Sequence, residues 1–310
     1  MSNPQMQAMI FAAGIGSRLK PLTDTMPKAL VSVGGEPLLK RVLDKLIAAG
    51  FRHVVVNVHH FGEQIIDFLH ENDDFGISIS ISDERGRLLD TGGGLKKAAS
   101  LFDPSVPILI HNVDILSNVN LKQMYFQVPL IQCPSCGAYH LRADATLLVS
   151  RRKTKRYLIF DRAMRLVGWT NIETGEIKSP FEQIRIMGQD AYRALCMTAD
   201  RPDEKSFPAA AKTQSVYREL IPSTDITVCA PAPLSMKGLA LYAFSGIHIF
   251  TSGLFREMDR MPDRFSIIDF YLQVCDRYLI QGYLKNDLQL MDVGKIDTIR
   301  AAESFLQNNL

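Results

Sequence analysis

The sequence predicts an α/β fold, namely a three-layer, Rossmann-like and mostly parallel sheet with helices on both faces, plus a smaller antiparallel β element. The first observation is that residues 7–13, 53–58 and 106–112 are short apolar runs typical of buried strands. The second is that residues 37–49 and 61–70, between these runs, space their apolar side chains as helices do. Repeated strand–helix–strand units imply a parallel sheet covered on both faces, with ligands bound outside the carboxyl ends of its strands.

The second half of the chain contains the signals for the antiparallel element. Residues 145–150 and 157–160 predict a hairpin around a basic turn, and residues 166–170 extend it. Residues 239–250 predict either a strand pair or one long bent strand. Further predicted elements are a strand over 77–81, helices over 94–101, 191–197, 266–278 and 298–307, and a strand over 288–291.

Composition restricts the class of partner. The chain has 35 Lys and Arg against 33 Asp and Glu, a formal net charge of +2, which gives no global attraction to nucleic acid or to an anionic membrane. The apolar run at residues 8–13 is too short for a signal peptide, and no uncharged apolar stretch has the length of a membrane span. Five cysteines, an odd number, argue against a disulfide framework. We therefore expect a cytoplasmic protein that binds small molecules, with no nucleic-acid and no membrane partner.

The most informative segment is residues 12–30, AAGIGSRLKPLTDTMPKAL, which follow the first predicted strand. Its small residues let backbone amides approach an anion closely, and Arg18 and Lys28 add positive charge. Chemistry at a phosphate requires such preorganised charge, because negative charge grows on the oxygens of the reacting groups. The segment is not a dinucleotide fingerprint, since Leu19 stands where the third glycine would be, and it lacks the Gly-Lys-Ser/Thr of a Walker A loop.

The run GIGSRLKPLTDTMPKALVSVGGEPLL resembles the signature of the sugar nucleotidyltransferase family, whose parts are Gly-x-Gly-x-Arg, Pro-Leu-Thr, Pro-Lys-x-Leu and apolar-Gly-x-Pro-Leu. The resemblance implies a GT-A-like variant of the fold and an enzyme that joins an NTP, UTP or GTP, to a sugar 1-phosphate. It implies catalytic roles for Arg18 and Lys28. The nucleotide-binding residues expected from it are Ala12, Ala13, Gly14, Gly16, Ser17, Arg18, Lys28, Ser82, Thr91 and Gly92.

A second glycine-rich turn, DTGGG at residues 90–94, follows a predicted strand and opens a helix. Its residues alone allow either a second anion cradle or a turn that needs positive φ values. The resemblance implies that it lies beside the base and the sugar, with Ser82 and Thr91 as hydrogen-bond partners of the base. We expect Trp169 to be a packed core aromatic. The expected sugar-binding residues are Asn57, Gly93, Asn171, Ser245 and Gly246.

Two acidic residues, far apart in the sequence, are candidate ligands for Mg²⁺. Asp114 follows a predicted buried strand, and Asp292 lies in MDVG, which resembles the family's late Asp-apolar-Gly motif. Carboxylate oxygens are ligands that Mg²⁺ prefers. An ion held by both residues would act as Lewis acid and template for the two substrates. The chain departs from the family at Val113, where the family usually has Gly.

Three segments lie outside this pattern. Cys133 and Cys136, with His140, form only half of a zinc site, because four ligands are needed and no second Cys-x₂-Cys occurs. The basic turn at residues 151–156 is expected to be a solvated hairpin tip, and the alternative is that it lends one cation to the sugar phosphate. Residues 127–142 and 188–237 are expected to be insertions, acting as lids or contact surfaces.

We expect one domain over residues 1–310, with a nucleotide-binding half at 1–125 and a sugar-binding half at 143–310, as a monomer or homodimer. Within the family, the DTGGG turn and the short C-terminus most resemble N-acetylmuramate-1-phosphate uridylyltransferases, with mannose- or heptose-1-phosphate guanylyltransferases as the alternative. A regulatory paralogue that binds a nucleotide sugar without catalysis is a further alternative. A nicotinamide-dependent oxidoreductase is disfavoured, because no acidic residue clearly ends the second strand.

Overall fold

The computed structural model describes residues 5–126, 130–132, 139–141, 143–200 and 234–309. Its strands are β1 Gln7–Phe11, β2 Ser32–Val33, β3 Glu36–Pro37, β4 His53–Val58, β5 Ser78–Asp83, β6 Ile108–Asn112, β7 Ile115–Ser117, β8 Leu130–Gln132, β9 Tyr139–Leu141, β10 Ala145–Ser150, β11 Arg156–Phe160, β12 Leu166–Asn171, β13 Glu176–Lys178, β14 Ala240–Phe250, β15 Ile280–Leu284 and β16 Leu290–Asp292. Its helices are α1 Leu38–Ala49, α2 Gly62–Glu71, α3 Asp90–Lys97, α4 Leu121–Phe126, α5 Glu182–Arg185, α6 Gln189–Cys196, α7 Phe255–Met258, α8 Ile267–Val274 and α9 Asp297–Asn309.

In the described part of the chain, ten strands form one central sheet in the order β13-β12-β11-β14-β6-β1-β4-β5. Off this path, β10 pairs with β14, and β15 pairs with β10. The strands β1, β4, β5 and β6 are parallel, so that Gln7 lies between His53 and Ile108. The strand β14 runs antiparallel to β6, and β11, β12 and β13 continue in antiparallel order. The predicted α/β fold with an antiparallel element in the second half is confirmed.

Alternate residues of β1 face opposite sides of the sheet, as the two-residue period of a strand requires. Ala8 and Ile10 belong to one buried apolar cluster, whereas Met9 and Phe11 belong to another. The helices α1, α2, α4 and α9 cover the first face, and α3 and α8 cover the second. The predicted three-layer arrangement with helices on both faces is therefore confirmed. None of the helices that the structure describes is long and apolar enough to cross a bilayer.

The helix α1 illustrates how local signals set an element's ends. It begins directly after Pro37 and is followed by Gly50, whose φ of 99° lies in the left-handed region where glycine is favoured. The Gly50 N–H donates to the carbonyl of Ile47 and so satisfies one of the last carbonyls of the helix. Its apolar stripe is fully buried and comprises Leu38, Leu39, Val42, Leu43 and Leu46.

The predicted hairpin between residues 145–150 and 157–160 is wrong. The strand β10 pairs with β14 and β15, whereas β11 pairs with β12 and β14. The reason is the length of β14, which pairs with β10 along residues 243–250 and with β11 along residues 240–242, so both strands join β14 instead of each other. Residues 240–250 form one long strand, whose register against β10 shifts between Leu147 and Val149.

The structure describes the predicted insertions only in part. Cys133 and Cys136 lie outside the described residues, as do residues 201–233 and the side chain of His140. The described beginning of the second insertion contains α6, whose Leu195 is buried in a cluster with residues of β11 and β12. The Tyr192 hydroxyl lies 2.8 Å from the Thr170 hydroxyl and ties this helix to β12.

Candidate active site

The loop after β1 turns back on itself through short 3₁₀ segments at residues 17–19, 22–24 and 28–30. Gly16 has a φ of 69°, and a Cβ added there would lie 2.9 Å from the Thr23 methyl group, so this turn requires glycine. A Cβ added at Gly14 would meet nothing within 4 Å. The fold therefore does not require glycine at position 14, and the open space above it suits the approach of a ligand.

Asn57, at the end of β4, supports this loop from within the protein. Its side-chain oxygen accepts the backbone N–H groups of Ala12, at 2.7 Å, and of Ala13, at 3.3 Å. Asn57 is only 3% exposed. Asn57, which was expected to bind the sugar, thus holds the loop in position through the amides of Ala12 and Ala13, which were expected to bind the nucleotide.

Glu84 completes this support, and sequence reasoning missed it. One carboxylate oxygen accepts the side-chain N–H of Asn57 at 2.7 Å, and the other accepts the backbone N–H of Leu89 at 3.1 Å. Burial raises the pKa of the Glu84 carboxyl, and the two hydrogen bonds oppose that rise. A Cβ on Gly94 would lie 2.6 Å from Glu84 Oε1, so glycine is needed there. The missed signal is an acidic residue directly after a strand, at the carboxyl edge of the sheet.

The DTGGG turn fastens α3 to the beginning of α8. The amides of Gly92 and Gly93 donate to the carbonyl of Phe265 at 2.9 and 3.3 Å. An added Cβ would lie 2.3 Å from the Phe265 ring at Gly92 and 2.1 Å from a backbone oxygen of the same segment at Gly93. The Thr91 hydroxyl accepts the N–H of Ile267 at 2.9 Å. The structure thus gives these three expected ligand-binding residues contacts within the protein.

The other predicted pocket residues lie in different surroundings. Ser82 and Ser245 are buried, and their hydroxyl groups have no hydrogen-bond partner among the described residues. Gly246 has a φ of 73°, and a Cβ there would lie 2.9 Å from the side-chain nitrogen of Asn112, two residues before Asp114. Asn171 ends β12, where its side-chain oxygen accepts the N–H of residue 173 at 3.1 Å within a turn.

The two predicted metal ligands are brought together by β7 and β16. These strands pair so that Asp292 lies opposite Ile115, and the N–H of Val293 donates to the carbonyl of Asp114 at 2.9 Å. Val113 is buried in the core, which accommodates the larger residue that stands in place of the family's glycine. Asp114, directly before β7, and Asp292, at the end of β16, are therefore brought together beyond β6, and we call them the acid pair.

Both predicted catalytic cations lie at the acid pair. The ammonium of Lys28 forms an ion pair with the carboxylate of Asp114, and their side chains are 12% and 16% exposed. The guanidinium of Arg18 borders the turn after β16, because a Cβ on Gly294 would lie 2.9 Å from Arg18 Nη2 and 2.7 Å from Asp292 Oδ1. Ser17, beside Arg18, is exposed.

The charges at this site act on one another. The Asp292 side chain reaches solvent, yet the protein around it removes enough water to raise its pKa, and the charge of Asp114 raises it further. Lys28, Arg18 and Arg152 oppose that rise. Two neighbouring carboxylates with hard oxygen atoms suit a divalent cation. The described residues contain no group of three or more His, Cys, Asp or Glu placed to hold a metal ion. Mg²⁺ would therefore take its other ligands from water and substrate, as it commonly does.

A further cation, Lys45 of α1, contacts the strand that follows Asp114. Its ammonium donates to the backbone carbonyl and to the hydroxyl of Ser117, the latter at 3.1 Å. Burial lowers the pKa of Lys45 to about 8. His111 is fully buried, and burial, helped by the charge of Lys45, lowers its pKa to about 3, so its ring is neutral. Sequence reasoning missed Lys45, because a lysine between apolar helix positions is usually solvated.

The matches to known proteins agree with this geometry. The family model described as "Nucleotidyl transferase" matches residues 7–128. The chain is 43% identical over 116 residues to N-acetylmuramate alpha-1-phosphate uridylyltransferase of Caulobacter vibrioides, covering 37% of this chain and 48% of that protein. The protein of the same name from Neisseria meningitidis is 42% identical over 120 residues, covering 39% and 52%. Residues 7–128 of the chain are therefore similar to nucleotidyltransferases, including uridylyltransferases named for a sugar 1-phosphate.

A longer match is to mannose-1-phosphate guanyltransferase of Yarrowia lipolytica, 34% identical over 222 residues, covering 68% of this chain and 57% of that protein. The chain spans about half the length of the uridylyltransferases that it matches. Two solved structures share the fold: HddC from Yersinia pseudotuberculosis with GMP-PN (15% identity, TM-score 0.62, covering 97% and 100%), and UDP-glucose pyrophosphorylase from Acinetobacter baumanii (13%, 0.62, covering 98% and 94%).

Proposed function

We propose that this chain is a Mg²⁺-dependent enzyme that transfers a nucleoside monophosphate group from an NTP to a sugar 1-phosphate and releases pyrophosphate. The observation that carries the proposal is the ion pair between Lys28 and Asp114, with Asp292 on the neighbouring strand. Cations and acids gathered at the carboxyl edge of a parallel sheet are what transfer of a phosphoryl-type group requires, since its catalysis is mostly positioning and electrostatic stabilisation.

In the proposed reaction an oxygen of the sugar phosphate attacks the α-phosphorus of the NTP in line. The bond from that phosphorus to the bridging oxygen of the β-phosphate breaks, and pyrophosphate leaves with the bond's electron pair. The attacking group is already an anion, so no protein base is needed. Arg18 and Lys28 stabilise the growing negative charge on the triphosphate. The open space at Gly14 would let backbone amides approach the phosphates.

Asp114 and Asp292 are the residues that would hold Mg²⁺. Their carboxylate oxygens are ligands of the kind that Mg²⁺ prefers. When bound, the ion supplies Lewis-acid polarisation of the α-phosphate and a template for the two substrates. We also propose a cytoplasmic location, the compartment in which NTPs are made.

For the substrate pair we propose UTP and N-acetylmuramate 1-phosphate. The support is the identity of 43% and 42% to two uridylyltransferases named for that sugar phosphate. The second candidate is GTP with mannose 1-phosphate, which the 222-residue match to a mannose-1-phosphate guanyltransferase favours.

The test is pyrophosphate release with Mg²⁺ from UTP, GTP, dTTP, CTP and ATP, each combined with N-acetylmuramate, mannose, heptose or glucose 1-phosphate. Release that needs UTP and N-acetylmuramate 1-phosphate together supports the proposal in full. Release with another pair keeps the transferase and changes its substrates. Silence for every pair, with a nucleotide-dependent rise in Tm, would favour a regulatory paralogue instead.

A further inference from the structure

The basic turn between β10 and β11 carries a third cation toward the acid pair. A guanidinium nitrogen of Arg152 donates to the carbonyl of Phe244 at 2.9 Å. Phe244 lies two residues before Gly246, the position that packs against Asn112 near the end of β6. In β14, Ile247 pairs with His111, so Phe244 lies beyond the carboxyl end of β6, the end from which the chain leads to Asp114. The turn is therefore not only a solvated tip, as the sequence had favoured.

Arg152 differs from other cations of its turn in what it contacts. Lys155 forms an ion pair with Glu173 at 2.9 Å, and the Arg151 guanidinium lies over the Tyr242 ring at 5.3 Å. Arg152 is exposed, and within the described ranges no carboxylate lies at ion-pair distance from it. Its hydrogen bond to the Phe244 carbonyl fixes one edge of the guanidinium, and among the described residues its charge has no salt bridge.

The reaction proposed above brings two anionic substrates to one place. Their phosphates repel each other, so the second substrate needs cationic charge of its own. Arg18 and Lys28 both belong to the loop after β1, in the half expected to bind the nucleotide. Arg152 comes from the other half, between β10 and β11, and its hydrogen bond to Phe244 holds it beyond the carboxyl end of β6.

We propose that Arg152 binds the phosphate group of the sugar 1-phosphate, an inference that rests on the proposed transferase function. A guanidinium presents paired N–H donors that match two oxygens of a phosphate, which a lysine ammonium cannot reproduce. The residue would therefore set affinity for the acceptor and leave affinity for the NTP unchanged.

The experiment compares Arg152→Ala, Arg152→Lys and the control Lys155→Ala, which removes a cation from the same turn. We expect Arg152→Ala to raise KM for N-acetylmuramate 1-phosphate by about tenfold or more, with Arg152→Lys between it and the wild type. The KM for UTP in these variants, and both KM values in Lys155→Ala, should stay within about twofold of the wild type. Tm measurements establish that each variant is folded, and Arg152→Lys carries the test if Arg152→Ala is not.

Equal rises in both KM values, or unchanged values for both, would overturn the assignment, because a merely structural role would not distinguish the substrates. If the wild type turns over no pair, the transferase proposal fails separately. Calorimetric titration with N-acetylmuramate 1-phosphate then decides the role of Arg152. Binding that weakens about tenfold in Arg152→Ala supports it. Equal affinity of the wild type and Arg152→Ala for this sugar phosphate, or no binding by the wild type, would refute the role of Arg152.

Discussion

The side-chain nitrogen of Asn57 lies 2.7 Å from the Glu84 carboxylate, while the oxygen of the same amide holds the backbone N–H of Ala12. This buried pair joins the end of β4 to the segment after β5 and to the loop that follows β1. The position of the loop, and of Arg18 and Lys28 within it, therefore depends on a contact that does not touch the acid pair.

Asn57→Ala should lower the free energy of unfolding by roughly 2–3 kcal/mol, because it leaves the Glu84 carboxylate and the Ala12 N–H without buried partners. Urea unfolding measures this change. The matched control is Asn72→Ala, which removes an exposed hydrogen bond of 2.7 Å to the Phe68 carbonyl. Its effect should stay within about 0.5 kcal/mol. Similar losses in the two variants would refute the role of the buried pair.

Lys28→Ala and Asp114→Ala should each reduce kcat by ~10²-fold or more while the fold survives. The first removes a cation that stabilises the reacting phosphates, and the second removes a ligand proposed for Mg²⁺. The measurement is pyrophosphate release at saturating substrates, with Tm as the test of folding. Lys20→Ala is the control, since Lys20 pairs with Asp24 at 3.0 Å on the exposed surface of the same loop. Near-normal rates in both Lys28→Ala and Asp114→Ala would exclude the proposed site.

Asp292→Asn should raise the Mg²⁺ concentration needed for half-maximal activity by about tenfold or more, because a neutral amide is a weaker ligand than a carboxylate. Titration of activity with Mg²⁺ tests this. Asp297→Asn, at the exposed beginning of α9, is the control and should keep the wild-type curve. An unchanged requirement in Asp292→Asn would show that this acid does not hold the ion.

Two glycines that the sequence assigned to the nucleotide should respond differently to alanine. Gly92→Ala should cost about 1–3 kcal/mol of stability, because its Cβ would lie 2.3 Å from the Phe265 ring. Gly14→Ala should leave Tm unchanged, since its Cβ meets nothing within 4 Å, and should weaken UTP binding. Thermal unfolding and calorimetric titration measure the two effects. Gly86→Ala, equally open, is the control for Gly14→Ala, and equal UTP affinity in both variants would contradict the expected phosphate approach.

Lys45 should make stability depend on pH above neutrality. Its pKa is about 8 in the folded protein, against an ordinary value of 10.5, so between these pH values the unfolded chain binds more protons. The contribution of Lys45 to stability therefore rises with pH across this window. Between pH 8 and pH 10.5, the free energy of unfolding of Lys45→Met should therefore fall relative to that of the wild type by roughly 1–3 kcal/mol. Urea unfolding at a series of pH values measures this difference. The control is Lys122→Met, which replaces an exposed lysine of α4. If the stabilities of Lys45→Met and the wild type changed equally with pH, the prediction would be wrong.

The sequence predicted what local chemistry determines. The loop after β1 and the acids after β6 and at the end of β16 could be found, because each combines a strand end with a recognisable group of side chains. The end of α1 at Gly50 could be predicted for the same reason, because it depends on the φ angle of a single residue. These features need no knowledge of which strands become neighbours.

Features that depend on distant partners were missed or misjudged. The hairpin prediction for β10 failed because strand signals do not specify which strand lies alongside. The roles of Asn57 and Glu84 arise from a contact between two strand ends, and that of Lys45 from a contact with Ser117, 72 positions away. The glycines of the DTGGG turn look like a ligand cradle in sequence, and only the packing of Phe265 reveals another reason for them.

The pairing of β16 with β7 has a consequence for biosynthesis. The ribosome releases β1, β4, β5 and β6 long before Asp292, and N-terminal segments generally fold first. A nascent chain at that stage can contain Lys28 and Asp114, yet the opposing carboxylate is still missing. Interrupted translation, or proteolysis that removes β16, therefore leaves the chain with Asp114 but without the second acid. The acid pair can therefore form only after β16 has been synthesised.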